Sequence, residues 1–269
     1  MERDRLEIHR TAQLKSPFLI VSWQTHDIGG LGSRVIDFLR KNLGGEEVAE
    51  IKPVGFFPLG GVRFRNDLVQ VQESKFWTCG RRNLLLFRSD EPAFNHFRFL
   101  STVLDFAQDC MGVRELYTIS GALSLTAHTQ PRRILTVFNR PDLRGELQAH
   151  GLEPMTWEGP PAISSYLLWV AGRRGLPGAS LWPEIPFYLA AKEDPLTIKL
   201  VLSFLSRRFE LGLNLEGFDS EIDDQNEKIA RLRDEDPEIH RYISRLESGQ
   251  SLDEEEQIKL TREIYDILS

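Results

Sequence analysis

The chain has little of what most catalytic and membrane signatures are built from. It holds two cysteines, Cys79 and Cys110, in 269 residues. That is too few for a disulfide framework or a cysteine-rich zinc site. Its six histidines are scattered, with no pair at the i, i+4 spacing of a helical metal site, so no metal is expected. A Walker loop, a nucleophile elbow and a kinase motif set are all missing. No apolar run approaches the roughly 20 residues of a membrane-spanning helix. Met1 to Lys15 is too polar for a secretory leader. These absences predict a soluble, cytoplasmic protein with no membrane contact and no cofactor.

What is present is a core-forming composition, 41% apolar, with a net charge of -7. That sign argues against a nucleic-acid backbone as partner. The charge is unevenly placed. From Glu216 to Ser269 there are 17 acidic and 7 basic residues, net -10, which leaves 26 basic and 23 acidic before it, net +3. The predicted organisation is therefore a core domain over 1–215 and an acidic helical extension over 216–269.

Pro17 to Trp23 reads as a buried strand, Gly29, Gly30 and Gly32 as a turn, and Val35 to Leu43 as a helix stopped by Gly44-Gly45. Further strands are predicted at Val48 to Val54, Leu68 to Gln72, Phe76-Trp77, Asn83 to Phe87, Val113 to Ser120 and Arg133 to Asn139. The runs 83–87 and 113–120 are apolar without alternation, which predicts central strands. Helical spacing covers Phe94 to Met111, with Cys110 as a small core residue, then Pro141 to His150 and Ala162 to Gly172. Ala179 to Pro186 reads as a strand at an edge or strand end because of Pro183. Pro195 opens a long helix. Two or three acidic amphipathic helices follow, the last begun by a Ser251-to-Glu254 capping box. The alternation predicts an α/β sandwich with a mixed central sheet.

Four motifs carry possible chemistry. The Gly29-Gly30-Leu31-Gly32-Ser33 loop follows a strand and opens a helix, so it is either a tight turn or an anion cradle. Asp27, at the carboxyl end of the first strand, is either a helix cap or a site residue. His128, in the loop His128-Thr129-Gln130-Pro131, is either an exposed general base or part of a turn fixed by Pro131. Trp157, in Trp157-Glu158-Gly159-Pro160, either stacks on a ligand or fills a crevice. The binding candidates are thus Asp27, Gly29, Gly30, His128, Trp157, Glu158 and Gly159, and no catalytic residue is assigned.

Taken in order, the Trp23-to-Gly30 loop, Asp90-Glu91-Pro92 with Phe97, His128-Thr129-Gln130-Pro131, Trp157-Glu158-Gly159-Pro160 with Ile163, and Leu181-Trp182 with Pro186, Tyr188 and Pro195 resemble the proteasome assembly chaperone family in its archaeal and bacterial branch. Trp23 and Asp27 stand farther apart than in the family pattern, and Gln130 stands where arginine is common. The resemblance implies a three-layer sandwich of phosphorylase/hydrolase-like type, self-association as trimers or tetramers, and a protein partner such as the proteasome. Some archaeal relatives use a C-terminal hydrophobic–Tyr–any-residue tail, a composition found here at Ile264-Tyr265-Asp266. Two functions follow. One is a non-catalytic, homo-oligomeric binding or assembly factor. The other is an enzyme of the related fold acting on a nucleoside or another small anion, resting on the glycine loop and on His26, Asp27, His128 and Glu158 in loops after strands.

Overall fold

The computed structural model describes residues 5–58, 63–65, 68–156, 158–159 and 162–269. Among them the strands are β1 (Leu6–Ile8), β2 (Phe18–Trp23), β3 (Glu46–Ile51), β4 (Arg63–Arg65), β5 (Leu68–Gln70), β6 (Ser74–Cys79), β7 (Leu84–Ser89), β8 (Glu115–Ile119), β9 (Ala122–Ser124), β10 (Ile134–Phe138), β11 (Glu153–Pro154) and β12 (Gly178–Pro186). The helices are α1 (Leu31–Asn42), α2 (His96–Asp105), α3 (Leu143–Ala149), α4 (Ile163–Arg173), α5 (Pro195–Arg208), α6 (Gly217–Glu235), α7 (Pro237–Glu247) and α8 (Glu254–Ile267).

Ten strands form one mixed sheet flanked by helices, the α/β class expected. Its order is β1-β3-β6-β7-β2-β8-β12-β10-β11, with β9 on β12. The strands β7, β2, β8 and β12 run parallel, whereas β1, β3 and β6 join antiparallel. As expected, 83–87 and 113–120 supply the two strands that flank β2. The residues of β2, and Leu84 to Phe87 of β7, are fully buried or nearly so, which is why their sequences do not alternate.

The chain packs as two compact units. The first comprises Met1–Asp27, Gly32–Ser120 and Thr136–Leu181; the second comprises Ile28–Leu31, Gly121–Leu135 and Trp182–Ser269. In the first, Phe99 of α2 is wholly buried and meets Phe56 and Phe57 edge-on, with ring centroids 5.0 and 5.8 Å away, while Trp23 lies at 6.4 Å. In the second, Ile229, Ile239, Tyr242, Ile243, Leu246, Leu260 and Ile264 are buried. The apolar stripes of the three acidic helices therefore pack within the chain.

Three local expectations need correction. Cys110 is exposed, not a core residue. After α2 the helix widens into a π-turn over Phe106–Cys110. The extra residue per turn shifts the helical phase, keeping Phe106 and Ala107 inside and turning Cys110 out. Pro183 does not mark an edge, since β12 lies between β8 and β10. The ladder to β8 ends at Leu181 and that to β9 begins at Glu184, so the missing N–H falls in a gap between two partners. The capping box at the last helix is formed by Asp253 and Glu256, not by Ser251 and Glu254.

Candidate functional site

At the β2–α1 junction both oxygens of Asp27 are committed. Oδ1 accepts from the Gly32 amide and Oδ2 from the Ser33 amide, each at 2.8 Å. Asp27 is thus the cap of α1. Burial pushes its carboxyl above the usual value, against the downward pull of those amides. Gly29 and Gly30 both have positive φ, +59° and +64°, and the Gly29 amide donates to the Ala190 carbonyl at 2.8 Å. Three amides of the glycine loop are therefore used by the protein itself. A Cβ on Gly29 would lie 2.6 Å from the Lys192 carbonyl oxygen, whereas one on Gly30 would meet nothing within 4 Å. Gly30→Ala is expected to cost about 1 kcal/mol, from the left-handed backbone alone. Gly29→Ala should cost about twice that, because a backbone carbonyl must also move. Urea midpoints of the two variants check the difference, and equal midpoints would contradict the contact.

Of the two readings of His128, the exposed general base does not hold. It is 7% exposed. Its amide donates to the Tyr188 hydroxyl at 2.5 Å, and its Nδ1 lies 2.9 Å from the same oxygen. Burial is the main cause of a lowered imidazole pKa of about 4, aided by the Arg132 charge. The loop around it is tied down at several points. The Arg132 guanidinium donates to Asp194 Oδ2 at 3.2 Å and to the carbonyls of Ala127 and Gln130 at 3.1 and 2.8 Å. Gln130, in the place of the family arginine, donates to the Glu247 carbonyl at 3.0 Å, and Thr129 donates to the Glu247 carboxylate at 2.9 Å. Arg133 makes a two-pronged contact with Glu184 at 2.7 and 2.6 Å. This is the architecture of a scaffold that clamps its own loop.

Trp157 lies outside the described residues, while Glu158 and Gly159 are exposed. The structure thus brings His128 together with Tyr188, and Asp27 with the start of α1. Ile264 of the hydrophobic–Tyr–any-residue stretch is wholly buried in α8, and Lys192 Nζ sits 4.0 Å from the Tyr265 ring centre. Among the described residues one group of metal-ligating type occurs, His9 with Glu47 and Glu50. The Lys75 ammonium lies 3.5 Å from Glu47, giving these carboxylates a cation of their own.

Sequence reasoning missed a surface on the first unit. The starts of α2 and α4 line an open groove of about 980 Å³, with Glu91, His96, Phe97, Arg98, Ile163 and Tyr166 in its walls. A second groove, of about 660 Å³, lies along α4 and α4's neighbour β10, with Phe138, Leu168, Trp169 and Arg173 in its walls. Ser165 belongs to both. Phe97 and Trp169 are 55% and 54% exposed, a large fraction for such rings. Tyr166 and Trp169 stand with ring centroids 5.9 Å apart, and the Arg173 guanidinium lies 5.5 Å from the Trp169 ring centre. Neither helix N-terminus has a side-chain cap, so amide dipoles add positive potential beside Arg98. The sequence did hold a signal: Ile163 to Ala171 is apolar around most of the helix, and one flank of such a helix must find a cover.

The model of the PAC2 family matches residues 23–233. No curated protein matches the chain. Among solved structures, a Mycobacterium tuberculosis protein of unknown function is similar with a TM-score of 0.78 at 19% identity, over 91% of this chain and 88% of that one. A proteasome-assembly chaperone homologue from the same organism gives 0.72 at 16% identity, over 84% and 99%. The Pyrococcus furiosus proteasome activator PbaB gives 0.69 at 21% identity, over 84% and 97%. At these identities the likeness is one of fold.

Proposed function

The chain belongs to the PAC2 family, and from that membership we propose that it is a non-catalytic protein-binding factor of the assembly-chaperone kind, working as a homo-oligomer on a larger complex such as the proteasome. The observation that carries this reading is the open aromatic face of α2 and α4, where Phe97, Tyr166 and Trp169 stand in solvent beside Arg98 and Arg173. Aromatic and arginine side chains are the residue types that anchor protein interfaces. The names of two relatives point the same way, one a proteasome-assembly chaperone homologue and one a proteasome activator.

The alternative, an enzyme for a small anion, drew on the glycine loop, His26, Asp27, His128 and Glu158. The amides of Gly29, Gly32 and Ser33 are taken by Ala190 and Asp27, and the His128 imidazole lies against Tyr188. Glu158 and Gly159, both exposed, are the candidates left for contact with a partner. The acidic segment 216–269 then serves as an extension whose outward faces are available for docking.

Two measurements test this. Sedimentation velocity of the pure chain should give a multiple of the single-chain mass. Addition of isolated proteasome α subunits should produce a joint species that sediments faster than either component. A chain that remains monomeric up to its solubility limit, and leaves the α subunits unshifted, would overturn the proposal.

A further inference from the structure

The second unit carries an apolar notch of its own. It has a volume of about 500 Å³ and is lined by Leu123, Phe187, Ile258 and Tyr265, with Glu254 and Arg262 among the remaining walls. Leu123 and Ile258 are 58% and 61% exposed. We propose that this notch and the α4 face are the two halves of one head-to-tail interface, in which Tyr166 and Trp169 of one copy seat in the Leu123–Ile258–Tyr265 notch of a second copy. The inference rests on the homo-oligomer reading and names the surfaces it would use.

Charge decides which faces meet. Helix α4 has no acid between Ile163 and Arg173 and ends on a cation, Arg173. Helix α8 carries five acids, Glu254, Glu255, Glu256, Glu263 and Asp266, against two bases. A two-fold contact of α4 on α4 would bring no acid to Arg173, and one of α8 on α8 would bring together two helices that each carry more acids than bases. Like charges brought together at an interface cost free energy, and opposite charges steer the encounter. Pairing α4 with α8 instead places Arg173 near Glu254 and Glu255, both exposed. It also buries the two rings that α4 leaves in solvent, and a tryptophan and a tyrosine in an apolar pocket are the usual anchors of an interface. Because the two faces differ, the contact is heterologous, and such contacts close into rings when the rotation permits.

Trp169→Glu and Ile258→Glu in the full chain test this by sedimentation equilibrium. Both sites are exposed, so both variants should melt like the wild type. Each alone should weaken self-association at least about thirtyfold, as loss of a central anchor does. Mixed one to one, they should form a dimer and nothing larger, since one intact α4 face and one intact notch remain between them. If either variant fails to fold, Arg173→Glu should dissociate the assembly, and the same chain carrying Glu254→Lys and Glu255→Lys should reassemble. Oligomeric wild type with both variants unaffected would overturn this interface and leave the homo-oligomer reading standing. Dissociated variants that do not complement each other would overturn the head-to-tail geometry. A monomeric wild type would overturn both readings.

Discussion

Asp194→Ala is expected to destabilise the protein by about 3–5 kcal/mol, the range for breaking a buried ion pair by removing one partner. The side chains of Asp194 and Arg132 are each 2% exposed and 3.2 Å apart. Removing the carboxylate leaves a guanidinium buried with its charge uncompensated, and arginine does not escape by losing a proton. The same carboxylate has further tasks. Oδ2 accepts from the Thr197 hydroxyl at 2.6 Å and Oδ1 from the Thr197 amide at 3.4 Å, so Asp194 is also the cap of α5. A cap alone is worth about 1 kcal/mol, so the larger part of the loss must come from Arg132. The double variant Asp194→Ala, Arg132→Met separates the two. It removes the stranded charge and should recover part of the loss, while the cap and the Arg132 bonds to the Ala127 and Gln130 carbonyls stay missing. Thermal melts and urea titrations at neutral pH measure this. A single-variant loss near 1 kcal/mol would show that Arg132 is solvated.

That network was only partly legible in the sequence. Pro195 announces the start of α5, but nothing local says that the residue before it answers an arginine 62 positions upstream. The same holds for His128, which a polar loop with a proline presents as exposed, and whose partner Tyr188 lies 60 positions downstream. Long-range polar partners leave no periodic trace, whereas burial on both faces does. That is why β7 and β8 could be placed as central strands, and β2 as a buried one, from apolar runs without alternation. The cap at Asp27 was readable because its partners lie five and six residues on. Ser251 and Asp253 each stand three residues before a glutamate, so spacing alone could not choose between them, and the first helical residue, Glu254, settles it. The π-turn that exposes Cys110 adds a residue to an otherwise even stripe, a change invisible to a count based on 3.6 residues per turn. The aromatic α4 face was present as a helix with too few polar positions, but a pattern that is apolar around most of the helix does not say which flank stays in solvent.

His128 should make the protein acid-sensitive over a definite window. Its pKa in the folded state is about 4, against 6.5 for the free side chain. Above pH 6.5 the imidazole is neutral whether the chain is folded or not, and pH has no hold on it. As pH falls below 6.5 the unfolded chain takes up a proton that the folded one refuses, so protons bound are greater in the unfolded state and stability drops with pH. The drop continues until the folded form also titrates near pH 4, and below that this residue adds no further loss. Each pKa unit corresponds to about 1.4 kcal/mol, so the contribution lost between pH 7 and pH 4.5 is about 2–3 kcal/mol. The physical cause lies in the packing: the ring is buried against Tyr188 and near the Arg132 guanidinium, and neither can compensate a positive charge there. His128→Gln keeps a hydrogen-bonding group toward the Tyr188 hydroxyl without the titration. Carboxylates elsewhere titrate in both proteins and cancel in the comparison. Urea unfolding at pH 7 and at pH 4.5 should therefore show the wild type losing about 2–3 kcal/mol more than the variant. Equal losses would mean that the imidazole is solvated enough to protonate in place, and the clamp described around loop 127–133 would have to be open to water.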